Sequence, residues 1–159
     1  MIKVGFIGTG LMGFPMAKNL LNSGIKLKAF NRTITKAEPL KEFGAEISKT
    51  LSEVVKDKDY VITMLTDDSA VDAIMNNSDF SENLKSGSTV IDMSSVKPNT
   101  AIKYGNTFKL KNINYLDAPV SGGTIGAEEA SLAIMVGGEQ SVFDNSLNIL
   151  KSMGNPTLV

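Results

Sequence analysis

The sequence predicts an α/β fold, in which a doubly wound, mostly parallel sheet carries helices on both faces. Short apolar segments alternate with helix-forming segments along the chain, which is the pattern of strand-helix-strand units. Three glycines in G-x-G-x-x-G spacing stand between the first apolar segment and the first helical one. The 159 residues, 42% of them apolar, suffice for one core, and no linker or repeat divides them. We therefore expect one domain over residues 1–159.

Seven short apolar segments are predicted strands. A parallel strand lies between two helical layers, so its side chains are apolar on both sides. In chain order the strands are Lys3–Ile7, Ile25–Phe30, Ala45–Ile47, Tyr60–Leu65, Thr89–Met93, Ile113–Asp117 and Leu132–Val136. Because these strands alternate with helices, we expect them to form a parallel sheet.

Six helices are predicted, and their ends carry start and stop signals. Pro15 and Pro98 fall in first turns, where the missing N–H of proline costs nothing. Gly24 and Gly44 follow helices as stop signals. The helices are Pro15–Asn22, Lys36–Phe43, Leu51–Lys56, Ser69–Met75, Pro98–Phe108 and Gln140–Met153. The segment Asn76–Ser88 is a polar stretch with no predicted helix or strand.

Each glycine of the first turn has a separate physical role. Gly8 lets the chain turn sharply off the strand, Gly10 lets a pyrophosphate approach the backbone, and Gly13 lets the helix pack close to the strand. The N–H groups near Leu11 and Met12, at the positive end of the helix dipole, would face the phosphates. The turn predicts a Rossmann-like dinucleotide site. The alternative is a glycine-rich turn that holds no ligand.

Composition and charge exclude several classes of function. The chain has no Cys and no His, which rules out a thiol nucleophile, a Ser-His-Asp triad and a Cys/His zinc site, so no metal is expected. A net charge of −1 without a long basic block argues against nucleic acids and membranes as partners. The sequence shows no bilayer-spanning run and no signal peptide, so we expect a cytoplasmic protein.

The end of the second strand indicates which dinucleotide binds. NAD-binding turns place an acidic residue there to hold the ribose 2'-hydroxyl, but no Asp or Glu occurs between Gly24 and Glu38. The strand ends instead in Asn31, Arg32 and Thr33, and the Arg32 guanidinium can pair with a 2'-phosphate, with Lys36 nearby. We expect NADP(H) to be preferred over NAD(H). The alternative is that Arg32 is only a solvated loop charge.

Two long motifs resemble those of the β-hydroxyacid dehydrogenase family. One is Gly5–Leu20, with the glycine turn; the other is Leu116–Thr124, followed by Gly126-Ala127 and Leu132–Gly138. The family includes 3-hydroxyisobutyrate dehydrogenase, tartronate semialdehyde reductase, glyoxylate/succinic semialdehyde reductases and, more distantly, 6-phosphogluconate dehydrogenase. The resemblance covers essentially the whole chain. It implies the NAD(P)-binding Rossmann domain of such an enzyme.

The resemblance also implies roles for single residues near the cofactor. Leu11 and Met12 fall in the pyrophosphate loop. Met64 and Leu65 match a segment that borders the adenosine and the nicotinamide ribose, and Ser95 matches a position on the nicotinamide side. These positions follow strands, where open α/β sheets bind ligands. For Met64 the alternative is packing in the core.

Ser121, Gly122 and Gly123 resemble the family's site for the substrate carboxylate. A hydroxyl and two glycine N–H groups can form a concave anion site that a small acid approaches closely. The expected partner is therefore a small carboxylate or aldehyde substrate, and the alternative is a tight turn without a ligand. Two residues depart from the family pattern: Thr9 replaces the commoner Leu, and Ala130 stands where Gly is usual.

The proton donor of the family has no counterpart in this sequence. Reducing a carbonyl by hydride needs an acid, which the resemblance assigns to a lysine on a helix beyond Val159, followed by a long α-helical domain. We therefore expect no catalytic residue and no all-α domain within residues 1–159, and negligible turnover by this chain alone. The full-length protein is expected to be a homo-oligomer through that domain.

The predicted function is to bind NADP(H) within an oxidoreductase. Such an enzyme transfers hydride between a nicotinamide cofactor and a small β-hydroxyacid or semialdehyde. A non-catalytic NADP(H)-binding or sensing module and an imine-reductase-like enzyme are the alternatives. The segment Asp117–Gly123 favours the hydroxyacid branch over the imine reductases.

Overall fold

Six parallel strands form the main sheet of the computed structural model, which describes residues 1–159. These strands are β1 (Lys3–Ile7), β2 (Lys26–Phe30), β3 (Glu46–Ile47), β4 (Tyr60–Thr63), β5 (Thr89–Asp92) and β6 (Asn114–Asp117). They are arranged in the order β3-β2-β1-β4-β5-β6. This order confirms the predicted doubly wound, Rossmann-like α/β fold.

The strand order reverses between β1 and β4. In the register of the sheet, Ile7 of β1 lies opposite Phe30 of β2 on one side and opposite Thr63 of β4 on the other. Open parallel sheets bind ligands in the crevice at the carboxyl ends of the strands where the order reverses. The loops after β1, β2, β4 and β5 therefore meet at the edge where a ligand is expected.

Helices cover both faces of this sheet, as predicted. The α-helices are α1 (Gly13–Asn22), α2 (Leu51–Val55), α3 (Asp68–Met75), α4 (Ser78–Ser81), α5 (Pro98–Lys109), α6 (Gly123–Glu129) and α7 (Gln140–Lys151). Successive strand residues enter different cores: Phe6 packs in a cluster of 23 buried residues with Met16, and Ile7 in a cluster of 11 with Phe108. None of these helices combines the length and the apolar character needed to cross a membrane.

A second sheet of three strands, β7 (Val120–Ser121), β8 (Leu132–Val136) and β9 (Gly154–Leu158), lies beside the first. β7 and β8 are antiparallel, whereas β8 and β9 are parallel. The expectation that the predicted strands share one parallel sheet is therefore wrong for β8. Its residues alternate between buried and exposed, which suits a strand with only one covered face. A backbone pair between Asp117 and Gly137 joins the two sheets, at 3.0 and 2.7 Å.

Strand β9 has no counterpart among the predicted elements. Its sequence contains Gly154 and Pro156, both of which are unfavourable in strands. The glycine is needed because a Cβ there would lie 2.1 Å from the carbonyl oxygen of Leu132 on the neighbouring strand. Pairing with β8, rather than local preference, therefore specifies this strand.

Three further segments differ from the prediction. The polar stretch Asn76–Ser88 contains the short helix α4, whose first turn is capped by the side chain of Asn77 and which buries Phe80. Helix α6 was not predicted. The predicted helix Lys36–Phe43 consists of 3-10 turns, Ile34–Lys36 and Glu38–Phe43, and ends at Gly44 with φ +100°.

Candidate functional site

The three glycines of the turn after β1 meet different surroundings. A Cβ at Gly8, where φ is +102°, would lie 2.1 Å from the carbonyl oxygen of Met64, and a Cβ at Gly13 would lie 1.7 Å from that of Gly8. A Cβ at Gly10 would have no neighbour within 4 Å. Packing therefore requires Gly8 and Gly13, whereas the backbone at Gly10 borders open space that a ligand can occupy.

The first turn of α1 offers unused hydrogen-bond donors beside Gly10. The amides of Leu11 and Met12 donate to no protein acceptor, whereas the amide of Phe14 already bonds the carbonyl oxygen of Gly10 at 3.0 Å. No acidic residue lies in this turn. Free N–H groups at the positive end of a helix dipole attract an anion such as a pyrophosphate. The residues present thus suit the phosphate groups of a dinucleotide.

Asn31, at the end of β2, holds the glycine turn in place. Its side-chain oxygen accepts from the amide of Thr9 at 2.9 Å, and its side-chain nitrogen donates to the carbonyl oxygen of Thr33 at 2.9 Å. The hydroxyl of Thr9 donates to the carbonyl oxygen of Lys36 at 3.0 Å, a bond that leucine could not make. The sequence predicted Asn31 as a cofactor contact. In the structure both polar ends of its amide are used: the oxygen joins the two loops and the nitrogen stabilises the loop after β2.

Arg32 and Thr33 are exposed at the same edge. The Arg32 guanidinium forms no ion pair, since the salt bridges of the chain join Lys28 to Glu46 and Lys85 to Asp59. It therefore remains available to an anionic ligand beside the glycine turn.

The loops after β4 and β5 contain the remaining predicted cofactor contacts. Met64 and Leu65 are half-buried, and Met64 also packs against the larger core, as the packing alternative holds. The amide of Leu65 donates to the hydroxyl of Ser94 at 2.8 Å. Ser95, the next residue, is exposed. The structure thus brings the two loops together and leaves Ser95 open to a ligand.

Behind these loops lies Asp92, which is not among the site residues predicted from the sequence. It is fully buried, and its Oδ1 accepts from the hydroxyl of Thr63 at 2.9 Å and from the amide of Ser94 at 3.1 Å. Burial raises the pKa of this carboxyl, against the lowering effect of those hydrogen bonds. The signal that could have found it is a lone acidic residue at the end of a strongly apolar strand.

The segment Ser121–Gly123 leads from the second sheet into α6. It is exposed, and Gly122 and Gly123 have φ of +138° and +62° where the chain passes from β7 into α6. It is therefore neither a hairpin turn nor a loop at the end of a main-sheet strand. Its glycines lead into the first turn of α6, so the residues predicted to bind the substrate carboxylate stand at a strand-to-helix junction.

A cleft of about 780 Å³ extends from the glycine turn to α6. It runs from the glycine turn, at Gly10 and Leu11, along α1 to Thr124 and Glu128 of α6. The side chain of Asn19 donates to the carbonyl oxygen of Ala127 at 2.7 Å and so fixes α6 against α1. Gly10, Thr124 and Glu128 thus border one cleft, and Thr124 directly follows the predicted carboxylate site at Ser121–Gly123.

Comparison with known proteins agrees with this geometry. Residues 3–159 match a family model described as the NAD binding domain of 6-phosphogluconate dehydrogenase. The 2-(hydroxymethyl)glutarate dehydrogenase of Eubacterium barkeri is 38% identical over 154 residues, which are 96% of this chain and 51% of that protein. The 2-hydroxy-3-oxopropionate reductase of Escherichia coli K12 is 39% identical over 166 residues, covering 99% of this chain and 54% of that protein.

Solved structures show the same architecture. A 3-hydroxyisobutyrate dehydrogenase of Mycobacterium tuberculosis, solved with L-serine, superposes with a TM-score of 0.94 at 31% identity, over 99% of this chain and 54% of that one. An imine reductase of Myxococcus stipitatus in complex with NADP+ gives a TM-score of 0.92 at 25% identity, over 100% and 55% of the two chains.

The chain spans about half the length of the curated relatives it matches. The matched half contains the glycine turn, the loops after β2, β4 and β5, and the junction before α6. By the family match over residues 3–159 and by these relatives, the chain belongs to the family of NAD-binding domains of 6-phosphogluconate dehydrogenase and the β-hydroxyacid dehydrogenases.

Proposed function

We propose that this chain is the NADP(H)-binding part of an enzyme that transfers hydride between its nicotinamide cofactor and a small β-hydroxyacid or semialdehyde. The observation that carries the proposal is the open backbone at Gly10 beside the free amides of Leu11 and Met12. When bound, the nicotinamide supplies or accepts the hydride. The chain's own residues bind the phosphates at the start of α1 and hold the dinucleotide along the edge of the sheet.

Arg32 supports the preference for NADP(H). It is exposed and free of ion pairs beside a strand end that has no carboxylate, so it suits a 2'-phosphate. Calorimetric titration with NADPH and NADH tests this. We expect NADPH to bind about tenfold or more tightly than NADH, and Arg32→Ala to remove the difference by weakening NADPH alone.

Lys26→Ala is the matched control for the charge change. Lys26 is exposed at the amino end of the same strand, far from the glycine turn, so it should leave both affinities unchanged. Equal binding of the two cofactors by the unmodified chain would contradict the preference. Failure to bind either cofactor would contradict the proposed function itself.

The substrate carboxylate is assigned to Ser121, Gly122 and Gly123. Support comes from their exposure, from the N–H groups at the start of α6 and from the acids named in two relatives. Chemical-shift mapping of the NADPH-loaded chain with a small β-hydroxyacid should move the amide signals of these residues. The corresponding alcohol without a carboxylate should not. Equal shifts with both compounds would exclude a carboxylate site.

We assign the proton donor to a lysine outside residues 1–159, as the family resemblance implies. Among the tyrosines, Tyr104 is fully engaged in the core, where its hydroxyl donates to Asp72 and accepts from Asn76, and Tyr115 is half-buried with its hydroxyl enclosed. The 159-residue chain should therefore bind NADPH but oxidise it at a negligible rate when a semialdehyde is added. The absorbance of NADPH measures this rate. Rapid turnover would place the acid within this chain.

An imine reductase is the second candidate because a structure of that class, in complex with NADP+, superposes closely. The relatives named for hydroxyacids have higher sequence identity, and Ser121 together with the α6 amides suits a carboxylate that an imine lacks. Shift changes with a cyclic imine, but not with a β-hydroxyacid, would favour this second candidate.

A further inference from the structure

A chain of buried hydrogen bonds crosses from β4 to β5 behind the candidate site. The hydroxyl of Thr63 and the amide of Ser94 both donate to Oδ1 of Asp92, at 2.9 and 3.1 Å. The hydroxyl of Ser94 in turn accepts from the amide of Leu65 at 2.8 Å. Thr63, Asp92 and Ser94 have no exposed surface. These bonds therefore form in a water-free environment, where each lost partner is costly.

These bonds begin where the backbone pairing of the two strands ends. Thr63 lies opposite Asp92 in the register, and the amide of Met93 donates to the carbonyl oxygen of Thr63 at 2.8 Å. Beyond this point the loops are joined instead by the Ser94 side chain and the Leu65 amide. The separation of the two loops therefore depends on where Asp92 holds Ser94.

The carboxyl of Asp92 is costly to the fold. Its Oδ2 has no hydrogen-bond partner. The titratable groups that face it from β6 are Tyr115 and Asp117, and burial and then the charge of Asp92 raise the pKa of both. A buried carboxyl that is only half satisfied destabilises a protein relative to an apolar side chain of similar size. Asp92 lies at the edge of the site and orients Ser94 there, which explains why this position has a carboxyl rather than an apolar side chain.

We infer that Asp92, acting through Thr63 and Ser94, is a positioning residue that sets the gap between the β4–α3 and β5–α5 loops for the nicotinamide half of the cofactor. The inference rests on the proposed function. Leu65 and Ser95 are two of the three predicted cofactor contacts in these loops; the amide of Leu65 bonds to Ser94, and Ser95 directly follows it. Asp92 itself has no exposed surface, so it acts on the cofactor only through these neighbours.

Ser94→Ala tests the inference with the smallest change. It removes the acceptor of the Leu65 amide, so the Kd for NADPH should rise about tenfold. The Kd for 2',5'-ADP, which lacks the nicotinamide half, should change at least five times less. Thr63→Val removes one donor to Asp92 and should weaken NADPH binding in the same selective way.

Asp92→Asn provides the rescue arm. The amide oxygen can accept both hydrogen bonds, so the Kd for NADPH should stay within about twofold of that of the unmodified chain. Asp92→Ala removes the acceptor and should raise this Kd about as much as Ser94→Ala does. The matched control is Ser88→Ala, at the amino end of the same strand region, where the hydroxyl is buried and unpartnered. It should change neither Kd.

The outcomes separate this inference from the proposed function. Unchanged NADPH binding in Ser94→Ala and Thr63→Val, or an equal loss of 2',5'-ADP binding, would overturn the positioning role. Loss of NADPH binding in Asp92→Asn, with a melting temperature unchanged from that of the unmodified chain, would also overturn it. If the unmodified chain binds no dinucleotide, the proposed function fails instead.

Discussion

Gly13 lies directly against the backbone of Gly8, so closely that a Cβ at Gly13 would stand 1.7 Å from the carbonyl oxygen of Gly8. Gly8 is itself pressed against the carbonyl oxygen of Met64. The contacts stack β4, the turn after β1 and the start of α1 without room for a side chain. Gly10, between the two, faces open space. Fold and ligand binding therefore depend on different glycines of the same motif.

Gly13→Ala should accordingly lower stability, whereas Gly10→Ala should weaken cofactor binding. The first forces α1 away from the strand, and we expect it to lower the free energy of unfolding by about 3 kcal/mol or more. The second adds a methyl group in open space, so stability should change by less than about 1 kcal/mol while the Kd for NADPH rises at least about tenfold. Urea unfolding and calorimetric titration measure the two effects. A stable Gly13→Ala variant would contradict the packing argument.

Asn31→Ala should destabilise the glycine turn. It removes the acceptor of the Thr9 amide and the donor to Thr33, so we expect a loss of about 1–3 kcal/mol and weaker binding of both NADPH and NADH. Asn22→Ala is the matched control because that exposed side chain makes no hydrogen bond. Equal stability of the two variants in urea would show that the Asn31 bonds are not needed.

Ala130→Gly should stabilise the protein. Ala130 ends α6 in the left-handed region, with φ 55°, where an L side chain is strained and the related family pattern has glycine. Relief of that strain should raise the free energy of unfolding by about 1 kcal/mol. Ala101→Gly, inside α5, should instead lower it by about 1 kcal/mol. Destabilisation by both changes would mean that the turn at Ala130 is unstrained.

The main sheet could be predicted from the sequence because its central strands β1, β4 and β5 are local apolar runs and its strands alternate with helical segments. The second sheet could not. Gly154 and Pro156 disfavour a strand locally, and β9 exists because it pairs with β8, a contact between residues distant from one another in the sequence. Helix α6 is short and begins with Gly123, so it too depends on packing, here against α1.

The candidate site shows the same division. The glycine turn is recognisable because three separate requirements fall within one short segment: the sharp turn at Gly8, the open backbone at Gly10 and the close packing at Gly13. The role of Asp92 depends on Thr63 and Ser94, whose side chains converge on it only after β4 and β5 pair. Asn31 could be placed at the site, but its internal bonds to Thr9 and Thr33 follow from how the two loops fold together.

The pH dependence of stability should reveal Asp117. Burial, and then the charge of Asp92, raises the pKa of Asp117 from about 3.8 to about 6. Between these values the folded protein holds a proton that the unfolded chain has released, so the stabilisation present below about pH 4 is lost as the pH rises through about 6. Asp92, whose pKa is also raised, acts in the same direction.

Other carboxyls act in a separate window. Bonding to the Lys3 amide lowers the pKa of Asp59, and the Thr100 hydroxyl lowers that of Asp68, so their contributions are lost only as the pH falls below about 4. Thermal melts between about pH 4.5 and 7 therefore separate the effect of Asp117 from that of Asp59 and Asp68. Asp117→Asn should reduce the fall in melting temperature over this pH range, and the variant should melt at a higher temperature than the unmodified chain at neutral pH. Asp144→Asn, at an exposed carboxylate, should keep the original slope. An unchanged slope in Asp117→Asn would show that this carboxyl does not titrate in that range.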